Sequence, residues 1–363
     1  MIINETCNIC GASNWHSLDY LRDHEYWYQT EKRHEDEPVG FKICKECGYI
    51  TYDYIEQDRL DALYEGERPV MNAANIVTGN RKNSYHKLFW ERSDDMLALL
   101  SKPGATFLDI GCAQGELLRM LHDDYGIEKE NLYGTEANKA FLTWARNEYG
   151  LINVGRDIQD VLKFDFISYY HVLEHIQYPE KSLSRAVEML KDDGIMYISV
   201  PYWLDTLEIF DGSIANNFEN LYHLNHVNVF TLQSFDNILN NAGLEVFQTD
   251  RDIYALTVLC RKSDKKPIIK ESWEKNVAIL ENDHKAIGLV NEAKFEEALA
   301  LRSDYPDAYL LYSLNKENMK DFDAQLSILT RGMVACRNKM KLAFQLSKVY
   351  FQWDEQRPER SEE

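Results

Sequence analysis

Between positions 105 and 116 the chain reads Ala105-Thr106-Phe107-Leu108-Asp109-Ile110-Gly111-Cys112-Ala113-Gln114-Gly115-Glu116. Thr106 to Ile110 is the pattern of a short buried strand, with an acid near its C-terminal edge. Small residues follow at 111, 113 and 115, and a helix is expected to start near Gly115. Glycine lets the backbone turn sharply and approach a ligand closely. The N-terminus of the next helix offers unpaired N–H groups to a negative group. Strand, glycine loop and helix in this order are how doubly wound α/β folds hold nucleotide-like ligands. A tight turn with no ligand has the same local signature, so the flanking chain has to decide.

That chain alternates. Phe107–Ile110 precedes a helix at 116–123, Leu132–Thr135 one at 138–149, and Phe164–Tyr169 one at 179–190. Short strands are expected at 152–154 and 195–200. Thr231 is placed to cap a helix over 232–242 that Gly243 stops. Strands at 244–248 and 253–260 close the series as a hairpin. Six or seven strands with crossover helices imply a mostly parallel sheet carrying one antiparallel strand. Upstream, Ser84 to Leu100 has helical spacing at Leu88, Phe89, Arg92, Met96, Leu99 and Leu100. Downstream of Ser263 only helical patterning remains. Asp307–Tyr312 has a loose echo near 341–346, with Ala308 against Ala343, at a period close to that of tetratricopeptide helix pairs.

Charge narrows the partners. Sixty acidic against 40 basic residues give a formal charge of −20, which argues against nonspecific binding to nucleic acid or an anionic membrane. No run of about eighteen apolar residues suggests membrane insertion. The start of the chain lacks the blocks of a signal peptide, so a cytoplasmic location is expected.

Four of the seven cysteines form two Cys-x-x-Cys-Gly knuckles, Cys7 with Cys10 and Cys44 with Cys47. Four thiolates suit tetrahedral zinc, and with no open position the site reads as structural. The organisation expected is a zinc ribbon over 1–52, then 53–100 as linker, lid loop and a leading helix, the α/β domain over 101–262, a helical domain over 263–353 and a charged tail over 354–363.

The α/β region resembles the class I S-adenosylmethionine-dependent methyltransferases, with their Rossmann-like seven-stranded sheet. The resemblance rests on Phe107–Gly115, on Tyr133-Gly134-Thr135-Glu136-Ala137, on Arg156-Asp157-Ile158, and most sharply on Phe164–Ile176 followed by Leu190–Gly194 and Val200-Pro201-Tyr202. It implies S-adenosylmethionine as cofactor. The cofactor residues it implies are Asp109, Gly111, Cys112, Ala113 and Gly115 around the methionine part, Glu136 and Ala137 at the ribose, Asp157 and Ile158 at the adenine, and Tyr170 and His171.

Methyl transfer from a sulfonium is a direct displacement. The protein has to align nucleophile, methyl carbon and sulfur, and to take a proton from the nucleophile. Histidine suits that proton at neutral pH. His171 and His175 follow one strand, and His223 and His226 follow the next. The chain is similar to sugar methyltransferases with an N-terminal four-cysteine ribbon, in which histidines and a tyrosine surround the sugar. Here the stretch reads Tyr222-His223-Leu224-Asn225-His226, one residue longer than that family's Tyr-His-Glu-His and without its glutamate. Glycan-cluster O-methyltransferases, with His-x-x-His followed by Phe and Ser or Thr, fit it better.

The resemblance therefore implies methylation of a small-molecule or glycan acceptor, with a sugar or surface-glycan hydroxyl favoured. His226 is the expected base and His175 the positioning group, supported by Tyr222 and His223. Glu174, His175, His223 and His226 also have the chemistry to hold a divalent ion. A carbon or nitrogen acceptor is the alternative enzyme reading. A scaffold on a methyltransferase fold, meeting a protein partner through its C-terminal helices, is the non-enzyme one.

Overall fold

The computed structural model describes residues 5–18, 40–52, 86–159, 161–201, 226–251, 255–317, 321–336 and 340–355. The expected lid loop, residues 356–363 of the expected charged tail, Tyr222 and His223 lie outside these residues, and the first two residues of that tail are helical instead. The chain divides into two compact units: the N-terminal segment with the α/β region up to residue 272, and the helices from 273 onward.

In the first unit β1 (Trp15–Leu18), β2 (Phe41–Cys44) and β3 (Ile50–Tyr52) form an antiparallel ribbon. The large sheet holds β4 (Phe107–Ile110), β5 (Leu132–Thr135), β6 (Asn153–Gly155), β7 (Phe164–Tyr170) and β8 (Leu190–Val200). A two-residue strand β9 (Asn228–Val229) follows, then β10 (Leu244–Arg251) and β11 (Leu256–Lys262). The order across the seven-stranded sheet is β10-β11-β8-β7-β4-β5-β6. β4 to β8 run parallel, and β11 lies antiparallel to both its neighbours, as the closing hairpin led us to expect. β9 does not join this sheet; it pairs with β3 of the ribbon.

The helices of this unit are α1 (Asp94–Leu100), α2 (Glu116–Tyr125), α3 (Lys139–Tyr149), α4 (Pro179–Met189) and α5 (Leu232–Ala242). The single helix expected over 84–100 is interrupted. Residues 86–90 are helical and then the chain breaks, because Ser93 Oγ accepts the Met96 N–H at 3.2 Å and so caps a new helix. Asp94 and Asp95 in the first turn favour that start through the helix dipole.

Alternation along the strands sends side chains to two cores. Phe107, Phe166, Tyr197 and Leu259 pack with Trp90 and the α2 leucines on one face. Leu108, Ile167, Tyr169, Ile198 and Val258 pack with α4 and α5 on the other. Cys7, Ile9, Cys44, Cys47 and Tyr49 of the ribbon belong to this second core. The ribbon is therefore built into the same apolar interior as the large sheet.

One polar hub pins the far end of the sheet. Asp165 is buried; Lys102 Nζ and Lys191 Nζ lie 2.7 and 2.6 Å from its oxygens, and the Thr106 backbone N–H donates to it at 2.9 Å. Burial opposes ionisation here, but the lysines and Thr106 outweigh it and hold the carboxyl down at about 2. A depressed carboxylate stabilises the fold above its unfolded value near 3.9, and the contribution is lost as pH falls towards 2. Asp165→Ala should therefore cost about 2 kcal/mol at pH 7, a figure discounted for the partly exposed lysines. Urea unfolding should show the gap from wild type closing between pH 4 and pH 2.

The second unit contains α6 (Trp273–Asn291), α7 (Phe295–Leu301), α8 (Pro306–Glu317), α9 (Phe322–Ala335) and α10 (Met340–Glu355). Gly332 on α9 allows close approach: a Cβ there would sit 2.9 Å from both Tyr309 Cγ and Leu342 Cδ1. Arg302 pairs with buried Asp283, whose carboxyl burial pushes up to about 6, and with Asp304 at 2.9 Å. The expected repeat echo does not mark equivalent packing positions, since Ala308 is buried and Ala343 exposed.

Candidate functional site

The carboxyl ends of β4, β5 and β7 meet at one edge, and the loops that leave them build the site from two sides.

On the first side, the β4 loop takes left-handed conformations at Gly111, Ala113 and Gly115 (φ 72°, 46° and 84°). A side chain at Gly111 would place its Cβ 2.5 Å from Val172 Cγ2, so the loop after β7 lies directly against the glycine loop. The Gly111 and Cys112 N–H groups donate to the Thr135 carbonyl at 2.8 and 2.9 Å, tying the loop to the end of β5. Gly115 is the N-cap of α2 and supplies no side chain to its first-turn N–H groups, which leaves them for a ligand.

Glu136 spans the same gap. Its Oε2 accepts from the Ala113 N–H at 3.0 Å and its Oε1 from the Asn138 N–H at 2.8 Å, which presents a fixed carboxylate beside the glycine loop. Ala137 next to it is exposed. Cys112 is only 4% exposed, and burial pushes its thiol well above the ordinary range, so this residue offers its backbone to the site and its sulfur to the core.

Asp109 is 5% exposed and accepts a 2.7 Å hydrogen bond from Ser168 on β7. Burial raises its carboxyl to about 7, with the Ser168 bond opposing and the Glu136 charge adding to the rise. A carboxyl raised in the fold destabilises the protein increasingly as pH climbs from about 3.9 towards 7. Asp109→Asn keeps a group that Ser168 can bond and removes the charge. It should raise the melting temperature at pH 8 and leave it nearly unchanged at pH 4.

Further along the edge, Asp157 Oδ1 accepts from the Ile158 N–H and from Arg185 Nη2, each at 2.8 Å, and the Arg185 guanidinium holds its carboxyl below the usual range. Tyr170 ends β7 edge-on to two rings, His86 at 4.4 Å and His171 at 4.6 Å between centroids. His86, which the sequence reading passed over as part of a helix, is buried and shares a 2.7 Å hydrogen bond with the Tyr197 hydroxyl.

On the second side, the β7 loop enters a short 3₁₀ turn, Leu173–His175, after His171 adopts φ 54°. Glu174 in that turn is wholly buried, and neither of its oxygens accepts a hydrogen bond among the described residues. His171 Nδ1 and His175 Nε2 lie 3.3 and 3.7 Å from its Oε1. Burial alone would favour the neutral acid, but the charges of His175 and His171 outweigh it and lower the carboxyl below its ordinary value.

His226 arrives from a different segment, two residues before β9, and is 8% exposed. Its ring centroid is 4.9 Å from that of His175. Two imidazoles distant in sequence thus face each other beside the loop that touches Gly111. Donor atoms of Glu174, His175 and His226 all lie within 4.8 Å of one another.

The four cysteines also converge. Cys7 Sγ is 3.6 Å from Cys47 Sγ, and Cys10 Sγ is 3.5 Å from Cys44 Sγ. Thiolates bound at about 2.3 Å around one tetrahedral ion are roughly 3.8 Å apart, so the spacing fits such an ion with little adjustment. Gly11 and Gly48 each turn through positive φ and donate their N–H to the Cys7 and Cys44 carbonyls. The cluster is a candidate metal centre.

Residues 84–249 match a family model described as a methyltransferase domain. A curated protein, sphingolipid C9-methyltransferase 1 of Gibberella zeae, is 26% identical over 210 residues, which are 52% of this chain and 39% of that protein. The aligned stretch thus spans about two fifths of the curated relative. Among solved structures, DesVI of Streptomyces venezuelae is 12% identical, with 54% of this chain and all of that one covered at a TM-score of 0.38. An S-adenosylmethionine-dependent methyltransferase from Clostridium acetobutylicum is also 12% identical, covering 53% of this chain and all of that one at 0.38. No described helix is long and apolar enough to cross a membrane. Over residues 84–249 the chain is therefore similar to a methyltransferase domain.

Proposed function

We propose that the protein methylates a hydroxyl group of a sugar or surface-glycan precursor. The observation that carries this reading is the pair His175 and His226, brought 4.9 Å apart from two segments beside the glycine loop. When bound, S-adenosylmethionine supplies an activated methyl group; the chain's own residues hold it and prepare the acceptor. The Glu136 carboxylate is the partner for the ribose hydroxyls, with Ala137 beside it. The backbone of Gly111, Cys112, Ala113 and Gly115 backs the methionine part, braced by Asp109, and Asp157 and Ile158 border the adenine. Tyr170 and His171 close that side.

His226 takes the hydroxyl proton. His175, with Glu174 beside its Nε2 to orient the ring, positions the hydroxyl. Tyr222 and His223 support the acceptor. Structural Zn²⁺ on Cys7, Cys10, Cys44 and Cys47 completes the ribbon, and the helices from 273 onward offer a surface for a protein partner.

A carbon acceptor is the second reading, because the curated relative is named for methylation at C9 of a sphingolipid. A hydroxyl is preferred because two neighbouring imidazoles suit a proton that must be both positioned and removed.

Calorimetry with S-adenosylhomocysteine should show binding, and Glu136→Ala should weaken it by roughly 10²-fold, since charged hydrogen bonds to the ligand would be lost. Labelled methyl from the cofactor should then appear on oxygen in a panel of nucleotide sugars. No heat at millimolar ligand would sink the assignment, and label on carbon would favour the second reading.

A further inference from the structure

We propose that Asn228 is the positioning residue of the acceptor half, and that through it the four-cysteine ribbon sets the separation of His175 and His226. The proposal takes from the preceding section only that these two histidines face the acceptor.

Asn228 is 1% exposed, and every polar atom of its amide is used. Its Nδ2 donates at 2.7 Å to the Leu173 carbonyl and at 2.7 Å to the Ile176 carbonyl, which bracket the turn that carries Glu174 and His175. Its Oδ1 accepts from the Tyr49 hydroxyl, two residues after Cys47. One side chain thus holds the His175 turn from both ends and fixes it to the ribbon.

The same stretch controls His226. Asn228 pairs with Thr51 and Val229 with Ile50, so β9 is a fourth strand of the ribbon sheet. The Val227 carbonyl accepts from Thr51 Oγ1 at 2.9 Å and from the Tyr52 N–H at 3.3 Å. His226 is the next residue back. A further bond, Asn8 Nδ2 to the Gln177 carbonyl at 2.8 Å, joins the first knuckle to the chain just after the His175 turn. Both histidines therefore take their positions from the ribbon.

The methionine and ribose side of the cofactor half does not. Asp109, Glu136 and the glycine loop are held by β4, β5 and β7 through Ser168, Thr135 and Asn138. A lesion at Asn228 should consequently separate the two halves. Asn228→Asp is close to isosteric and keeps an acceptor for Tyr49. It removes both donors and sets one carboxylate oxygen against two carbonyl oxygens.

The test uses the full chain loaded with S-adenosylhomocysteine and zinc, with histidine rings isotopically labelled. The wild type should give a ring-to-ring nuclear Overhauser effect between His175 and His226, assigned with His175→Gln and His226→Gln. Asn228→Asp should lose it while S-adenosylhomocysteine affinity stays within about twofold and the metal content is unchanged. A general loss of stability would not produce that split.

If Asn228→Asp fails to bind S-adenosylhomocysteine, Tyr49→Phe decides. It removes one hydrogen bond and should still shift the His175 and His226 ring resonances at unchanged affinity. Persistence of the ring contact in Asn228→Asp, or unmoved resonances in Tyr49→Phe, overturns the proposal. Neither outcome depends on the acceptor, so a failed search for a sugar substrate would count against the function and not against the clamp.

Discussion

His226→Ala should lower kcat by about 10²- to 10⁴-fold, the usual cost of losing a positioned general base, with S-adenosylhomocysteine affinity nearly unchanged. The reasoning starts from geometry. His226 is 8% exposed beside His175, while the residues proposed to hold the cofactor are anchored by other strands. Removing the imidazole empties the acceptor side alone. His175→Ala should lower kcat and also raise KM, because that ring positions the hydroxyl. A base works only in its neutral form, so the wild-type rate should fall as pH drops and the imidazole takes up a proton. In His226→Ala that limb should flatten. Steady-state kinetics on the true acceptor between pH 5.5 and 8.5 measures all of this. Wild-type turnover by both variants would mean that the histidines only pack.

Much of the candidate cofactor half has its parts close together along the chain. The glycine loop is contiguous, and Glu136 sits at the end of a strand whose partner is the preceding one. β7 is mostly apolar, as a strand covered on both faces tends to be, with Asp165 and Ser168 as its two buried polar exceptions. The acceptor half was legible only as a cluster of histidines. What holds it together is long-range: Tyr49 meets Asn228 across 179 residues, and Asn228 meets Leu173 across 55. No periodicity encodes such a contact. Asn228 stood in view between two valines, and a polar side chain inside a short apolar strand was the available clue. The broken helix before β4 shows the reverse conflict. Met96, Leu99 and Leu100 continue an apolar stripe from Phe89, but Ser93-Asp94-Asp95 is a start signal, and the cap prevailed over the stripe. The repeat echo in the second unit drew on alanine and aromatic positions, which an ordinary helical bundle fills as readily as a helix-pair repeat.

Cys44→Ser should reduce bound zinc from about one ion per chain to well below that, and should cost several kcal/mol of stability. Cys44 is fully buried, ends β2 and lies 3.5 Å from Cys10 Sγ. Serine in its place leaves three thiolates and a poor fourth ligand. Three thiolates crowded in a low-dielectric interior repel one another without the cation. For an independent zinc finger the loss would be confined to the finger. Here Cys7, Cys44, Cys47 and Tyr49 share a core with Leu173 and Phe230, and β3 carries β9. Hydrogen exchange should therefore rise first over residues 41–52, together with residues 226–230 and the turn at 173–176. Residues 107–110 and 132–135 should stay protected, because β4 and β5 pair with each other and with β7 and β6. Binding of S-adenosylhomocysteine should outlast methyl transfer as chelator is added. Full metal occupancy in Cys44→Ser would show that the ligands are wrong. Simultaneous loss of protection in β4 and β9 would show that the sheet, and not the acceptor half alone, leans on the ribbon.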